Sequence, residues 1–381
     1  MQYVPFGQHG FQVSRLGMGM MRLPTREEDG KKVIDREAAI ALVRHGVDQG
    51  VSYVDTAYGY HNGESEIVTG LALKDGYREK VTLTTKLPLW LVEEEKDMNR
   101  LLDEQLRKLD VPYVDFYILH AVSRDRFHKM QAFHYQDFLR QALKDGRIRH
   151  TGFSFHDDKD AFLEVLRDFD GWGMAQIQFN YLDDDRQATV EGLREAGRRG
   201  VPIVVMEPLR GGALANPPQN VRALMEGYEK QRSAVEWAFA YVADFPEVAT
   251  ILSGMTTMEQ LDDNLRIFDG LTVNGLTDKD KALIAQLKQA YLSRMPVGCT
   301  GCEYCVPCPG GVSIPQVFRG YNESKMFDDP ARFRRSYQEL EKNEHDGSRC
   351  LSCGRCEGLC PQHLPIIDWL QKIDREYRAL V

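Results

Sequence analysis

The sequence predicts an α/β fold, a (β/α)8 barrel followed by a small, mainly helical domain. Two observations carry this expectation. Short apolar, β-branched runs alternate with amphipathic segments from Leu16 to about Met295, and no cysteine precedes Cys299, whereas all eight fall between Cys299 and Cys360. The expected division is therefore residues 1–295 and 296–381.

The strand-like runs are Leu16 to Met20, Val51 to Asp55, Val81 to Thr85, Val114 to Leu119, Ile148 to Phe153, Met174 to Phe179, Val201 to Met206 and Val248 to Ser253. Near-continuous apolar strands suit a parallel sheet buried on both faces, and eight strand–helix units close a TIM barrel. Between the runs lie helical patterns. In Asp35 to Gln49, Ala39, Leu42, Val43, Gly46 and Val47 recur every three or four residues before Gly50; in Asp97 to Leu109, Met98, Leu101, Leu102, Leu106 and Leu109 share a face.

The formal net charge of -9 argues against non-specific nucleic-acid binding. A hydrophobic fraction of 43% with 28% charged residues supports a large core. No apolar run reaches membrane-spanning length and the first residues show no signal-peptide pattern, so a cytoplasmic protein without membrane association is expected.

Barrel enzymes place their chemistry at the C-terminal ends of strands. Asp55, Lys86 and His120 directly follow the second, third and fourth apolar runs, and Tyr60 lies five residues past Asp55. A free tyrosine, with a pKa near 10, is too weak an acid to protonate a carbonyl oxygen efficiently unless an ammonium stabilises its phenolate. Lys86 can supply that charge, Asp55 can keep the lysine protonated and oriented, and His120 can donate a hydrogen bond to the substrate oxygen.

These residues carry a resemblance to the aldo-keto reductases over essentially all of residues 1–295. The matching features are Asp55-Thr56-Ala57 with Tyr60, Gly63-Glu64-Ser65-Glu66, Thr85-Lys86, Leu119-His120, Gly152-Phe153-Ser154, Gln178, Pro208-Leu209, and Gly254 with Gln260 and Asn264. The resemblance implies a small carbonyl or alcohol substrate and NADP or NAD as cofactor. Tyr60 would be the general acid/base, tuned by Lys86 and Asp55, and His120 would orient the carbonyl. Ser154 and Gln178 would bind the nicotinamide carboxamide; the loops around Leu209 to Gly212, including Gly211, and Gly254 to Asn264 would hold the dinucleotide. The chain departs from the family pattern at Phe155, where many members have Asn, at Met206, where many have an aromatic residue, and at Thr256 and Thr257, where a basic residue reads the 2′-phosphate of NADP. Arg210 is the candidate to replace that charge.

Other motifs weigh less. Gly17-Met18-Gly19-Met20-Met21 lacks the third glycine of a dinucleotide motif and is expected to serve a turn or packing. Ala121 to Gln136 is expected to be a loop with solvated His128 and His134, and Trp90 either lines an apolar substrate pocket or is packed or exposed elsewhere.

Cys299, Cys302, Cys305 and Cys308 form C-x2-C-x2-C-x2-C-Pro; Cys350, Cys353, Cys356 and Cys360 form C-x2-C-x2-C-x3-C-Pro. Disulfide frameworks spread their cysteines to close loops, so the tight runs favour metal. Zinc sites also use C-x2-C pairs, but the second run is the bacterial ferredoxin signature, and two 4Fe-4S clusters are expected. In that signature the fourth cysteine ligates the other cluster, which predicts one set of Cys299, Cys302, Cys305 and Cys360 and another of Cys350, Cys353, Cys356 and Cys308. The part resembles the ferredoxin-like extension of a subgroup of aldo-keto reductases. Ile314, Val317, Phe318, Leu364, Ile366, Ile367 and Trp369 are expected to shield the clusters, and a helix within Asp328 to His345 to join the runs.

Hydride transfer moves two electrons and such a cluster one, so coupling them calls for a mediator such as a flavin. The sequence is therefore read as a nicotinamide-dependent carbonyl reductase whose clusters are structural or exchange electrons with a redox partner protein. The alternative is a one-electron transfer protein in which the barrel docks a partner or senses a cofactor.

Overall fold

A computed structural model describes residues 1–381 and divides them into two compact units, 1–212 with 235–277, and 213–234 with 278–381. In the first unit, strands β1 (Leu16–Gly19), β2 (Tyr53–Asp55), β3 (Thr82–Pro88), β4 (Val114–Val122), β5 (Ile148–Phe155), β6 (Trp172–Gln178), β7 (Ile203–Met206) and β8 (Val248–Ser253) close a parallel barrel in sequential order. Along the chain the helices are α1 (Arg36–Asp48), α2 (Ser65–Ala72), α3 (Glu95–Leu109), α4 (Arg124–Ala132), α5 (Tyr135–Lys144), α6 (Lys159–Asp168), α7 (Thr189–Arg198), α8 (Gln219–Glu226), α9 (Ala234–Ala243), α10 (Met258–Asp269), α11 (Asp278–Leu292), α12 (Ile314–Phe327), α13 (Pro330–Lys342), α14 (Arg355–Leu359) and α15 (Ile366–Arg378).

Local signals set these elements. The Asp35 carboxylate caps α1 by accepting from the Ala38 N–H at 3.1 Å, and the apolar stripe from Ala39 to Val47 is buried. A capping box between Glu94 and Asp97 starts α3, and Asp110 ends it in the left-handed conformation. Its Leu101 and Leu102 are fully buried, so truncating either to alanine costs about 2–5 kcal/mol. Gly17 lies within β1 and serves packing: a Cβ there would stand 2.8 Å from Leu252 Cδ2, so its absence lets β1 and β8 close the barrel.

Two antiparallel hairpins escape the strand pattern, Tyr3–Pro5 with Gln12–Ser14 and Thr25–Glu28 with Lys31–Ile34. The first sends Phe6 into the barrel interior, where its ring lies 5.9 Å from Tyr53 and 5.0 Å from Phe116. The segment Ala121 to Gln136 is a correction to the expected loop. It holds α4 and the start of α5, because Ser123 caps α4 and the helices bury Phe127, Met130, Tyr135, Phe138 and Leu139. His128 sits on α4 facing Glu164 at 2.7 Å, and His134 pairs with Glu95 at 2.7 Å.

The second unit contains α8 and α11 to α15. Its core joins Val312, Ile314, Val317, Phe318, Ile366 and Leu370, with Leu364, Trp369 and six of the cysteines packed against it. Helix α13 falls inside the expected segment, with Asp329 capping the Arg332 N–H at 2.9 Å and Pro330 in the first turn. No helix is long and apolar enough to cross a membrane.

Candidate active site and cysteine cavities

Asp55 is the last residue of β2, while Lys86 and His120 lie two residues before the ends of β3 and β4. Tyr60 begins the turn Tyr60–Gly63, in which His61 and Asn62 take positive φ and fold the chain back over the barrel mouth. The four expected residues come together. Lys86 Nζ donates to Asp55 Oδ1 at 2.5 Å, to the Thr56 carbonyl at 2.9 Å and to Tyr60 Oη at 3.2 Å. An ammonium has three N–H bonds, and all three are used. Because Lys86 donates to the phenol oxygen, the proton of Tyr60 is free for another acceptor.

The Asp55–Lys86 pair is buried, with side chains 3% and 1% exposed. Burial opposes the charge on Lys86, but Asp55 and Tyr60 outweigh it and hold its pKa above the ordinary lysine value. Burial raises the Asp55 carboxyl against the pull of Lys86 and of the Gln176 amide beside it. For Tyr60, burial outweighs the help of Lys86, and its pKa lies above the usual 10.0. Lys86 acts in the direction the sequence predicts, favouring the phenolate, and offsets part of the desolvation. His120, with its ring centroid 6.0 Å from that of Tyr60, is kept neutral by burial and by the positive groups Lys86, His156 and Arg126. Its Nδ1 is buried without a hydrogen-bond partner. Trp90 borders the site, its ring 5.1 Å from His120 and 44% exposed.

The residues expected at a cofactor lie at or beyond the same strand ends. The Ser154 hydroxyl accepts from the Ala121 N–H at 2.8 Å. Gln178 Oε1 accepts from Gln187 at 2.8 Å, whereas Gln176, two residues earlier and fully buried, is the glutamine beside Asp55. Asn264 donates to Ser253 Oγ at 3.0 Å, and Gln260 Oε1 accepts from the Thr256 N–H at 2.8 Å. Leu209 and Gly211 follow β7, and Gly254 follows β8. Phe155 packs on Phe162 with ring centroids 5.2 Å apart, and Met206 packs against the barrel interior. The Arg210 guanidinium is 2.7 Å from Asp183, so its charge is held within the protein.

Sequence reasoning missed Gln176 and Arg22. Arg22 lies between the two glycine loops: a Cβ on Gly254 would meet its side chain at 3.1 Å, and one on Gly211 would stand 3.4 Å from Nη2. Its backbone carbonyl accepts from Thr256 Oγ1 at 3.0 Å. Its place three residues after β1 is the signal that could have drawn attention to it.

In the second unit the cysteines are free and surround two cavities. One is lined by Cys299, Cys302, Cys305 and Cys360; the other is lined by Cys308, Cys350, Cys353 and Cys356, with Cys305 touching both. The last cysteine of each run, Cys308 and Cys360, therefore lines the cavity of the other run. No three His, Cys, Asp or Glu side chains form a group that could hold a metal ion. A four-iron cluster places its ligands on separate irons, and side chains spread around a void fit that demand. Burial and the neighbouring thiols Cys299, Cys356 and Cys302 push the Cys305 thiol up to about 11, a crowding that a cationic cluster core would relieve.

Residues 15–288 match the aldo/keto reductase family. The chain belongs to that family. As a member it is an oxidoreductase, and residues 298–364 match the 4Fe-4S dicluster domain. The NADH-specific methylglyoxal reductase of Escherichia coli K12 is 25% identical over 336 residues, 76% of this chain and 99% of the relative. The methylglyoxal reductase YeaE of the same organism is 28% identical over 231 residues, 58% of this chain and 78% of the relative. Among solved structures, aldo-keto reductase AKR11C1 from Bacillus halodurans, holo form, superposes with a TM-score of 0.63 at 24% identity, covering 75% of this chain and 96% of that one. An aldo-keto reductase from Klebsiella pneumoniae in complex with NADPH gives 0.59 at 22% identity, covering 75% and 95%.

Proposed function

We propose that the barrel reduces a small aldehyde or ketone to the alcohol, or runs the reverse reaction, with NADP or NAD. The observation that carries this reading is the Lys86 ammonium, shared between Asp55 and the Tyr60 phenol oxygen with the tyrosine proton left free. The names of the similar proteins, a reductase specific for NADH and a reductase bound to NADPH, support a nicotinamide cofactor without choosing between the two. When bound, that cofactor supplies or accepts hydride at the substrate carbon.

The residues of this chain do the rest. Tyr60 gives its proton to the carbonyl oxygen as hydride reaches the carbon, and Lys86 stabilises the phenolate that remains until solvent reprotonates it. Neutral His120 donates a hydrogen bond to the same oxygen and fixes its position. Asp55 holds the ammonium in place, and Gln176 supports the Asp55 charge. Ser154 and Gln178 would face the carboxamide, Leu209, Gly211, Gly254, Gln260 and Asn264 would border the dinucleotide, and Arg22, with no carboxylate partner, would meet its phosphates.

The functional division falls at residues 295/296, in keeping with matches that end at 288 and resume at 298. The C-terminal domain would hold two 4Fe-4S clusters, one on Cys299, Cys302, Cys305 and Cys360 and one on Cys308, Cys350, Cys353 and Cys356. Exposed Cys302 and Cys353 would bring both to the surface, where electrons could pass to a redox partner protein. Eight thiols kept for iron fit a reducing cytoplasm. The test is to offer methylglyoxal and other aldehydes with NADH and then NADPH to protein purified without air. Alcohol formed in step with cofactor consumed supports the reading; cofactor consumed only when an electron acceptor replaces the aldehyde favours the one-electron alternative.

A further inference from the structure

Beyond the residues that act on the carbonyl, the mouth of the barrel carries a positive group with no acid to match it. Arg126 stands in the first turn of α4 and folds back so that Nη1 donates to the carbonyl of Ala121 at 2.8 Å, the residue after His120. Two neighbours on the helix are committed: Arg124 pairs with Glu164 at 2.9 Å and with Asp158 at 3.2 Å, and His128 pairs with Glu164 at 2.7 Å, while Lys129 lies over the Phe133 ring at 5.8 Å. Arg126 forms no ion pair. The residue is exposed.

The surroundings point the same way. His156 follows β5 directly and ties that end to β4 through its backbone N–H, which donates to the Val122 carbonyl at 3.0 Å. Gln187 lies beside its imidazole, and the Arg126 charge is felt by both His156 and His120. Helix α4 packs on the turn Leu89–Leu91, which carries Trp90 beside His120. The charges on the inner side are already balanced or oppose an anion less directly: Lys86 is neutralised by Asp55, and the charge of Glu207 falls on Tyr60. Asp125, beside Arg126 in sequence, forms no ion pair with it.

We propose that the substrate of this site is a small carbonyl compound carrying a carboxylate or phosphate, and that Arg126 binds that anion with His156 beside it while Tyr60 and His120 act on the carbonyl. This rests on the reading of the barrel as a carbonyl reductase. A guanidinium outside any ion pair, tethered to the carbonyl of the residue after His120, can give an anion charge-assisted hydrogen bonds that a neutral analogue cannot make.

The experiment compares matched substrates on the full-length protein: 4-carboxybenzaldehyde against benzaldehyde, and glyceraldehyde phosphate against glyceraldehyde. The expected result is a kcat/KM about tenfold or more higher for the charged member of at least one pair, weakening with added salt. Which pair shows it distinguishes carboxylate from phosphate. In Arg126→Gln the ratio within that pair should collapse through KM rather than kcat. A neutral member used as well in both pairs, or a preference that survives Arg126→Gln, overturns the proposal. If no aldehyde is reduced, the reductase reading fails on its own, and calorimetric titration with benzoate and with inorganic phosphate decides the anion site. Heat seen with the unsubstituted protein and lost in Arg126→Gln upholds it; no heat, or heat unchanged by the substitution, sinks it.

Discussion

The Gln105 side chain, on the inner face of α3, donates to the backbone carbonyl of Lys86 at 3.0 Å. The same amide nitrogen donates to Glu66 Oε1 at 2.5 Å and lies 3.1 Å from Thr85 Oγ1, while Gln105 Oε1 accepts from the Tyr117 hydroxyl at 2.8 Å. All four side chains are fully buried. The helix layer thereby holds the strand residue whose ammonium organises the site.

Replacing Gln105 by leucine strands these polar groups without a partner. Each buried group left unsatisfied costs about 1–3 kcal/mol, so thermal unfolding should shift clearly downward. If the network also positions Lys86, kcat for carbonyl reduction should fall more than KM changes. A variant that loses stability but keeps kcat would assign the network to folding alone.

The Asp55–Lys86 pair yields a second expectation. Lys86→Met leaves a buried carboxylate with no cation, a loss of about 3–5 kcal/mol when one partner of a buried pair is removed. Asp55→Leu combined with Lys86→Met removes both charges and should recover a substantial part of that stability while remaining inactive. Chemical denaturation of the two variants checks this, and a double variant no more stable than the single one would argue that the pair is not buried as described.

The pH dependence follows from two opposite shifts. His120 lies well below its usual 6.5, so it is neutral through that value and should produce no loss of reduction there. Tyr60 lies above its usual 10.0, so its proton remains available below that value, and reduction should decline only as pH rises through the raised pKa. Oxidation of an alcohol needs the phenolate and should rise over the same alkaline range. An acid limb centred near 6.5 that His120→Asn removes would contradict the first assignment.

The crossing of the cysteines can be read from iron. Protein prepared without air should carry about eight irons per chain. Cys308→Ser should disturb the same cluster signal as Cys353→Ser, and Cys360→Ser the same one as Cys302→Ser, by electron paramagnetic resonance of the reduced protein. Grouping by sequence run instead would reverse the ligand assignment.

Much of this was legible in the sequence because barrel strands buried on both faces leave continuous apolar runs, and polar residues such as Asp55 and His120 interrupt them at the functional end. The hairpin that sends Phe6 into the barrel was not legible, since Gln12–Ser14 is too short to show a period. Gln176 and Gln178 are two apart and so lie on the same face of β6; strand alternation could not say which of them reaches Asp55. Arg22 meets Gly211 and Gly254 only after the barrel closes, and no local pattern announces such a meeting. The cysteines around each cavity follow the grouping that the spacing rule predicts, with Cys308 and Cys360 crossing and Cys305 touching both.

The most direct measurement is turnover of an aldehyde with NADH or NADPH by Tyr60→Phe and by the unsubstituted protein, without air, with the cluster absorbance followed in the same cuvette. The expected result is a loss of carbonyl reduction of about a hundredfold or more in the variant, with the folded state and dithionite reduction of the clusters unchanged. Equal turnover by the two proteins would contradict the central claim that the Tyr60 proton, freed by the hydrogen bond from Lys86, completes the reduction.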